Sequence, residues 1–422
     1  MALWSTLRLW FNLGNCDLPT MLWNVSFLLR ALTLNIDSRY NKGIPLVFYI
    51  ITAVVAASYF YVYLISMVWF VLWRCRESGD LVAAMVVASL GVTSEIGPTK
   101  LIYMFIYRDK VRELVDKYLD CDALVKPGSR FSNNLMKILR GVKKRAMIFW
   151  VVIIGNGVVY ILKPIILPGR HLMEDSFILF GLEPSHESPN FEISFLLMAG
   201  GVIFTCYLPA NITAFLIIIT GYTEAQMLAL SKELLNLWSD AQEYYLEHVS
   251  LAIEDFSEPV VKISNEQRTK DKIINEYIRK RLHEFINLHT TNIKLLHQTE
   301  NIFRGAIAIE FMVLIVGLIV ILLGGLENTY MEIPFALMQV AMDCLTGQRV
   351  MDASITFEKA VYNCKWEYFD VSNRKTVLLM LQSSQKTMKL SAGGVTMLSF
   401  SSFMGVIRSI YSAYTALRST MN

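Results

Sequence analysis

The sequence predicts an all-α membrane protein with seven transmembrane helices, a cytosolic N-terminus and an extracellular C-terminus. Its composition is 54% hydrophobic and 18% charged, whereas an ordinary soluble chain carries about 25% charged residues. Two uncharged runs, residues 44–72 and 193–223, are each longer than the ~20 apolar residues that span a bilayer. The loops between the predicted spans alternate between rich and poor in lysine and arginine, which predicts the orientation.

The seven predicted spans are separated by polar or proline-containing segments. They cover residues 44–72, 81–107, 146–167, 193–220, 305–326, 333–353 and 391–417. The chain therefore divides into a cytosolic N-terminal segment (1–43), spans one to four (44–220), a cytosolic helical loop (221–304), spans five and six (305–356), a second cytosolic segment (357–390), the last span (391–417) and an extracellular tail (418–422).

The first two spans have distinctive flanks. Residues 1–43 mix tryptophan and leucine with polar residues, which is typical of an interfacial helix that leads into a membrane span. The second half of span two contains Glu95, Pro98 and Lys100. This pattern predicts a kink and an inner end that is buried in protein or hydrated.

The large polar loop has a helical pattern. Apolar residues recur at helical spacing from Met227 to Val249 and again from Ile274 to Leu296. We predict two long helices that continue spans four and five into the cytosol and pack against each other or against neighbouring subunits. The charged stretch between them, Glu254 to Lys272, is expected to be mobile.

The distribution of positive charge predicts the orientation. The loop 108–145 holds eleven lysines and arginines, residues 222–304 hold ten and residues 357–389 hold six, whereas the segment 168–190 holds only Arg170. Cytosolic loops carry the excess of positive charge. A G-protein-coupled receptor has the opposite orientation, which argues against that class.

The sequence contains no pattern typical of an enzyme, a metal site or a cofactor site. The nucleophile, phosphate-loop, dinucleotide and zinc motifs are absent, and the six cysteines are too scattered for a disulfide framework or a metal site. A net charge of +3 without an aromatic-rich basic patch argues against nucleic acid. Three acidic residues fall within spans: Glu95, Glu310 and Asp343. We expect structural pairing with basic residues, with a proton relay as the alternative.

Small, methionine, aromatic and sparse polar residues concentrate in the outer halves of spans two, three, four and six. Such residues suit an apolar pocket for a small ligand, and ordinary helix packing is the alternative. The predicted ligand-binding residues are Ala84, Val87, Ala88, Gly91, Ile153, Asn156, Tyr160, Phe195, Met198, Ala199, Val202, Phe335, Met338, Gln339 and Met342.

The last span carries a row of small and hydroxyl residues on one helical face. The row consists of Ser401, Gly405, Ser409, Ser412, Ala416 and Ser419. Such a row allows close helix packing, and it also suits the wall of a water-filled pore; the residues alone leave both open. The candidate pore-lining residues are Ser409, Ser412, Thr415, Ala416, Leu417 and Ser419.

The C-terminal third resembles the insect odorant receptor family. The matching residues are Cys344, Gly347, Gln348, Ser354, Ala360, Tyr362, Trp366, Arg374, Lys375, Leu378, Leu379, Met380, Gln385, Lys386, Ala392, Gly393, Gly394 and Phe403, followed by the ending Tyr411 to Arg418. The motifs cover about the last eighty residues, and the length and predicted topology agree over the whole chain. The related gustatory receptors end in a different motif, which is absent here.

This resemblance implies an odorant-gated, non-selective cation channel of four subunits in the plasma membrane of olfactory neuron dendrites. It implies that the last span lines the pore and that cytosolic extensions of spans four to seven form an anchor between subunits. The expected partners are a small volatile odorant, co-receptor subunits, membrane lipid and permeating cations, without nucleic acid and without a cofactor. The cytosolic loop is shorter than that of the co-receptor, so the chain resembles an odour-tuned subunit.

The ending departs from the family pattern at two positions. Alanine stands at Ala413 and Ala416, where the family more often has large residues. A small side chain closes a hydrophobic gate poorly, so we expect co-receptor subunits to supply most of the seal. The alternative functions are a seven-span metabotropic chemoreceptor, a gustatory-type receptor channel and a transporter.

Overall fold

The computed structural model describes residues 14–39, 43–253 and 263–421, most of which are helical. The helices, in chain order, are α1 (Leu18–Arg30), α2 (Leu46–Ser78), α3 (Leu81–Ser94), α4 (Ile96–Ile106), α5 (Arg108–Ala123), α6 (Arg130–Ile166), α7 (Asn190–Ile253), α8 (Ile263–Gly324), α9 (Leu326–Thr329), α10 (Glu332–Tyr362), a 3-10 turn (Trp366–Tyr368), α11 (Val371–Ser384) and α12 (Phe400–Met421). A two-stranded antiparallel hairpin, β1 (Ser391–Ala392) and β2 (Thr396–Met397), precedes α12.

Helix α7 is the centre of the bundle. Its most apolar stretch is 89% buried, whereas the corresponding stretches of α2 and α6 are only 22% buried. It packs against α6, α10, α8 and α2, and also against the amphipathic helix α1. A helix that is apolar on all sides belongs in the interior, and the lipid-facing positions are left to α2 and α6.

Helices α7 and α8 confirm the prediction of long helices that continue two spans. They contain 64 and 62 residues, which at ~1.5 Å per residue makes each about three times as long as a bilayer core is thick. Beyond the apolar stretches they pack on each other, with the rings of Tyr244 and Tyr277 stacked at 4.7 Å. Residues 254–262, within the stretch expected to be mobile, lie outside the described residues, as do residues 1–13.

The predicted kink in span two is a break between α3 and α4. Proline lacks the N–H of a helical residue and its ring clashes with the carbonyl group four residues earlier, which here belongs to Ser94. Helix α3 ends at Ser94 and α4 begins at Ile96. Glu95 at the junction accepts a hydrogen bond from the hydroxyl of Tyr59 at 2.7 Å, so this carboxyl is structurally paired.

The other two acidic residues in the spans face one lysine. The Nζ atom of Lys100 is 2.8 Å from Glu310 Oε1 and 3.7 Å from Asp343 Oδ2. It also donates to Thr213 Oγ1 at 2.7 Å. The three charged side chains are at most 6% exposed. They come from α4, α8 and α10, and Thr213 connects them to α7. This agrees with the expectation of pairing.

The last helix begins later than expected. The predicted span begins at residue 391, but residues 391–397 form the hairpin and α12 starts at Phe400. Gly393 and Gly394, which have φ of +65° and +80°, make the tight turn, because residues with a Cβ rarely adopt this conformation. The Gly393 N–H donates to the Arg304 carbonyl at 2.8 Å, which fixes the hairpin on α8.

Within the described residues, five helices are long and apolar enough to cross a membrane: Leu46–Ser78, Leu81–Ile106, Arg130–Ile166, Asn190–Glu247 and Arg268–Gly324. Helices α10 and α12, which correspond to predicted spans six and seven, are not among them. The chain is therefore a mostly helical protein with five apolar membrane-span candidates, and the count of seven remains a prediction.

We predict that Lys100→Met destabilises the fold by about 3–5 kcal/mol, because removal of one partner leaves the other buried charges uncompensated. Thermal unfolding of the purified chain measures this loss. Lys137→Met is the matched control, since Lys137 is exposed on α6. Equal stability of the two variants would show that the cluster does not hold the four helices together.

Candidate functional site

A small cavity lies between α2, α3, α6, α7 and the start of α10. Its lining residues are Tyr63, Leu90, Thr93, Asn156, Gly157, Tyr160, Val202, Thr205, Cys206, Met331, Glu332 and Phe335. Aromatic and aliphatic side chains are combined with hydroxyl, amide and carboxyl groups. This is the composition of a small-molecule site, in which a few polar groups orient the ligand.

The cavity is small in the present state. Its volume is about 40 Å³, and a single water needs roughly 10–15 Å³ on the same measure. The space therefore holds a few water molecules. A volatile with several carbon atoms enters only if the lining side chains or helices move apart.

Close packing of α2 against α7 positions Tyr63 in the cavity wall. A Cβ atom at Gly201 would lie 2.9 Å from the Tyr63 ring, and one at Gly200 would lie 3.0 Å from the Ser58 hydroxyl. Glycine at both positions therefore lets the two helices approach closely, as small residues do in membrane bundles. Gly157 has the same effect on α6, where a Cβ atom would lie 2.8 Å from Cys206 Sγ.

Two polar contacts fix the outer end of the cavity. The Asn156 side-chain amide donates to the Met331 carbonyl at 2.8 Å, which ties α6 to the start of α10. The Ser89 hydroxyl on α3 donates to Glu332 Oε2 at 2.8 Å. Glu332 is 7% exposed, and among the described residues no lysine, arginine or histidine forms an ion pair with it.

The segment between α6 and α7 folds back onto α2 beside this end of the cavity. Phe177 packs edge-on against Phe70 with the ring centres 5.4 Å apart, and the hydroxyl of Tyr61 donates to the Phe180 carbonyl. Burial raises the pKa of Glu174 in this segment. Its carboxyl lies close enough to Glu332 for the two acidic groups to repel each other.

A histidine pair on the outside of this segment is held by one carboxylate. His171 Nδ1 is 2.7 Å from Asp175 Oδ2, and His186 Nε2 is 3.8 Å from Asp175 Oδ1. The hydrogen bond to Asp175 raises the pKa of His171. Nowhere in the described ranges do three or more His, Cys, Asp or Glu side chains form a group that could hold a metal ion.

The structure brings part of the predicted pocket together. The predicted residues that line the cavity are Asn156, Tyr160, Val202 and Phe335. Those buried elsewhere are Ala84, Val87, Ile153, Met198, Gln339 and Met342, and those that are half-buried are Ala88, Gly91, Phe195, Ala199 and Met338. Their role in ligand binding stays a prediction.

The sequence reasoning missed most of the polar lining. Tyr63 lies in predicted span one, which contributes no residue to the predicted pocket, and Glu332 lies one residue before predicted span six. The one signal in the sequence that could have indicated the polar lining is an acidic residue at the start of a span, Glu332. The helix partners of Thr93 and Thr205 could not be read from a single sequence.

All but one of the candidate pore-lining residues lie on one open face of α12. The exception is Leu417, which follows Ile410 by seven residues and so lies on the same side as Ile410. Ser409, Ser412, Thr415, Ala416, Leu417 and Ser419 are all exposed. Ile410 on the opposite side is 4% exposed, and Phe403 and Val406 are half-buried against α8 and α10. Arg408, not considered in the sequence analysis, is exposed on the same face.

Helix α10 connects the cavity to the start of α12. Glu332, Phe335, Gln339, Asp343 and Gly347 follow at steps of three or four residues and so share one helical face. At the cavity end this face carries the carboxyl group of Glu332 and the ring of Phe335. Farther along it carries Asp343, which faces Lys100. At the far end, Gly347 is in close contact with the residue that begins the α12 segment.

This far contact is a backbone contact. A Cβ atom at Gly347 would lie 2.3 Å from the Leu398 carbonyl oxygen, so only glycine allows the observed approach. The Phe400 N–H, the first of α12, donates to Gln348 Oε1 at 3.3 Å. The position of α12 therefore depends on the position of α10.

The chain matches the family described as 7tm Odorant receptor over residues 80–411. It is similar in structure to the insect olfactory receptor OR5 from Machilis hrabei, with a TM-score of 0.71, 11% sequence identity, and coverage of 94% of this chain and 97% of the other. The complex of OR5 with eugenol gives a TM-score of 0.69, 11% identity, and coverage of 96% and 98%. No curated protein matches the sequence.

We predict that Gly347→Ala displaces the segment that leads into α12 and costs about 1–3 kcal/mol, as overpacking of a closed contact does. Thermal unfolding of the purified protein measures the cost. Gly141→Ala is the control, because a Cβ atom at that helical position meets nothing within 4 Å and alanine favours a helix. A neutral effect of Gly347→Ala would contradict the close contact.

Proposed function

The chain belongs to the 7tm odorant receptor family, and we propose that it is an odour-tuned subunit of an odorant-gated, non-selective cation channel. The proposed ligand is a small volatile organic compound that binds in the cavity between α2, α3, α6, α7 and α10. The observation that carries the proposal is the family match over residues 80–411 together with a small, partly apolar cavity.

The solved relative supports a ligand of this kind. OR5 was solved with eugenol bound, which is a small volatile. At 11% identity the likeness extends to the fold alone, so the assignment of this cavity rests on its own lining. Tyr63, Tyr160 and Phe335 supply aromatic surface, and Asn156 supplies a polar group.

The channel part of the proposal rests on α12. Its hydroxyl and small residues, which are exposed in the described part of this chain, suit a water-facing wall. We propose four subunits, including co-receptor subunits, around a pore lined by α12. In this arrangement the chain has seven spans, an internal N-terminus and an external C-terminus in the plasma membrane of olfactory neuron dendrites.

The main competing function is a metabotropic chemoreceptor that signals through a G protein, and a gustatory-type channel is a second. Current recording from cells that express the chain with and without a co-receptor distinguishes a metabotropic receptor from a channel. The ligands are small volatiles that include eugenol, applied to excised patches without nucleotide. We expect odour-evoked cation current under these conditions. Complete dependence of the current on GTP would overturn the channel proposal.

We predict that Arg408→Gln increases cation conductance through the open channel, because a positive side chain at a pore wall opposes cations. Single-channel recording measures the change. Arg349→Gln serves as the control, since Arg349 is an exposed arginine on α10 outside α12. Unchanged conductance in Arg408→Gln would show that this face of α12 does not line the pore.

A further inference from the structure

The one carboxyl group in the cavity wall has no positively charged partner. Glu332 is 7% exposed and its Oε2 atom accepts a hydrogen bond from Ser89. Its Oε1 atom has no hydrogen-bond partner among the residues that the structure describes. A buried carboxyl group without a counter-charge takes up a proton instead of staying ionised, so a cationic group placed beside Glu332 would favour the ionised form of this carboxyl.

The surroundings of Glu332 add negative charge and aromatic surface. The nearby carboxyl of Glu174 is also acidic. Lys163 of α6 interacts with Glu174 and lies over the ring of Tyr330 at 5.5 Å. The cavity also contains the rings of Tyr63 and Tyr160. A carboxylate beside aromatic rings is a favourable environment for an organic ammonium group, which the rings attract through their negative faces.

We propose that Glu332 is a specificity-determining residue that selects amines, with the protonated nitrogen of the ligand placed against its Oε1 atom. This inference rests on the proposed function of the cavity as the odorant site. Ser89 holds the carboxyl by its other oxygen, which leaves Oε1 directed to the ligand. The aromatic and aliphatic side chains of the lining contact the hydrocarbon part of the ligand. The cavity walls move apart to admit it.

The test uses phenethylamine, phenethyl alcohol and ethylbenzene, which share one skeleton and differ only at its end. Affinity for the purified receptor complex is obtained from the ligand-dependent rise in melting temperature, and gating is recorded as current. The variants are Glu332→Gln and the control Glu327→Gln, which removes an exposed acidic group five residues earlier.

We expect the unaltered receptor to bind phenethylamine more tightly than the other two compounds. Glu332→Gln should weaken amine binding by at least about thirtyfold, since loss of one partner of a buried charge pair costs at least about 2 kcal/mol. Ethylbenzene binding should stay unchanged, and Glu327→Gln should alter none of the three affinities. Glu332→Asp keeps the charge and should retain the amine preference.

Several outcomes would overturn the inference. They are absence of an amine preference in the unaltered receptor, an equal loss of all three ligands in Glu332→Gln, or a preference for the alcohol that Glu332→Gln abolishes. If Glu332→Gln fails to bind ethylbenzene because it is misfolded, loss of the amine preference in a folded Glu332→Asp receptor counts against the proposal. Amine binding without current contradicts the proposed channel function and leaves the inference intact.

Discussion

The burial of one lysine against two carboxyl groups is the constraint on which the bundle depends. Lys100, Glu310 and Asp343 come from three helices, and Thr213 of the central helix α7 accepts a further bond from the lysine. Charges removed from water are tolerated only in close, hydrogen-bonded contact. A shift of any of these helices by one residue would separate the charges, so the cluster fixes the relative register of α4, α7, α8 and α10.

This register places α10 between the cavity and α12, the two regions to which we assign a function by proposal. At its start α10 contributes Glu332 and Phe335 to the cavity, and four turns later Gly347 touches the backbone that leads into α12. A ligand shifts a conformational equilibrium only through different affinities for the two states. In the proposed function, the cavity of about 40 Å³ would supply this difference, because a larger ligand would bind only to an arrangement in which the walls, including α10, have moved apart.

The sequence predicted the features that depend on local pattern. The long helices α7 and α8 follow from continuous apolar and amphipathic periodicity, and the break at Glu95 follows from the geometry of Pro98. The hairpin before α12 was missed because its two strands are only two residues each and hydrogen-bond through a glycine turn to α8. The partner of Glu310 and Asp343 lies more than two hundred residues earlier, a distance over which one sequence gives no pairing signal. The same holds for the cavity, where Tyr63 and Glu332 come from helices far apart in the chain.

In the proposed channel, the open face of α12 would leave a single chain incomplete in a membrane. Arg408, Ser409 and Ser412 are exposed on a helix that we place at membrane depth, and a charged or hydroxyl-rich face is costly in contact with lipid. The hydroxyls of Ser409 and Thr415 donate hydrogen bonds to backbone carbonyl groups of α12, which lowers that cost. Such bonds do not offset the charge of the Arg408 guanidinium group. The face therefore requires water or protein opposite it. Ile410 and the Gly347 contact fix the opposite side of α12 to the bundle, so the exposed face has the orientation that the proposed assembly of subunits around a common axis requires.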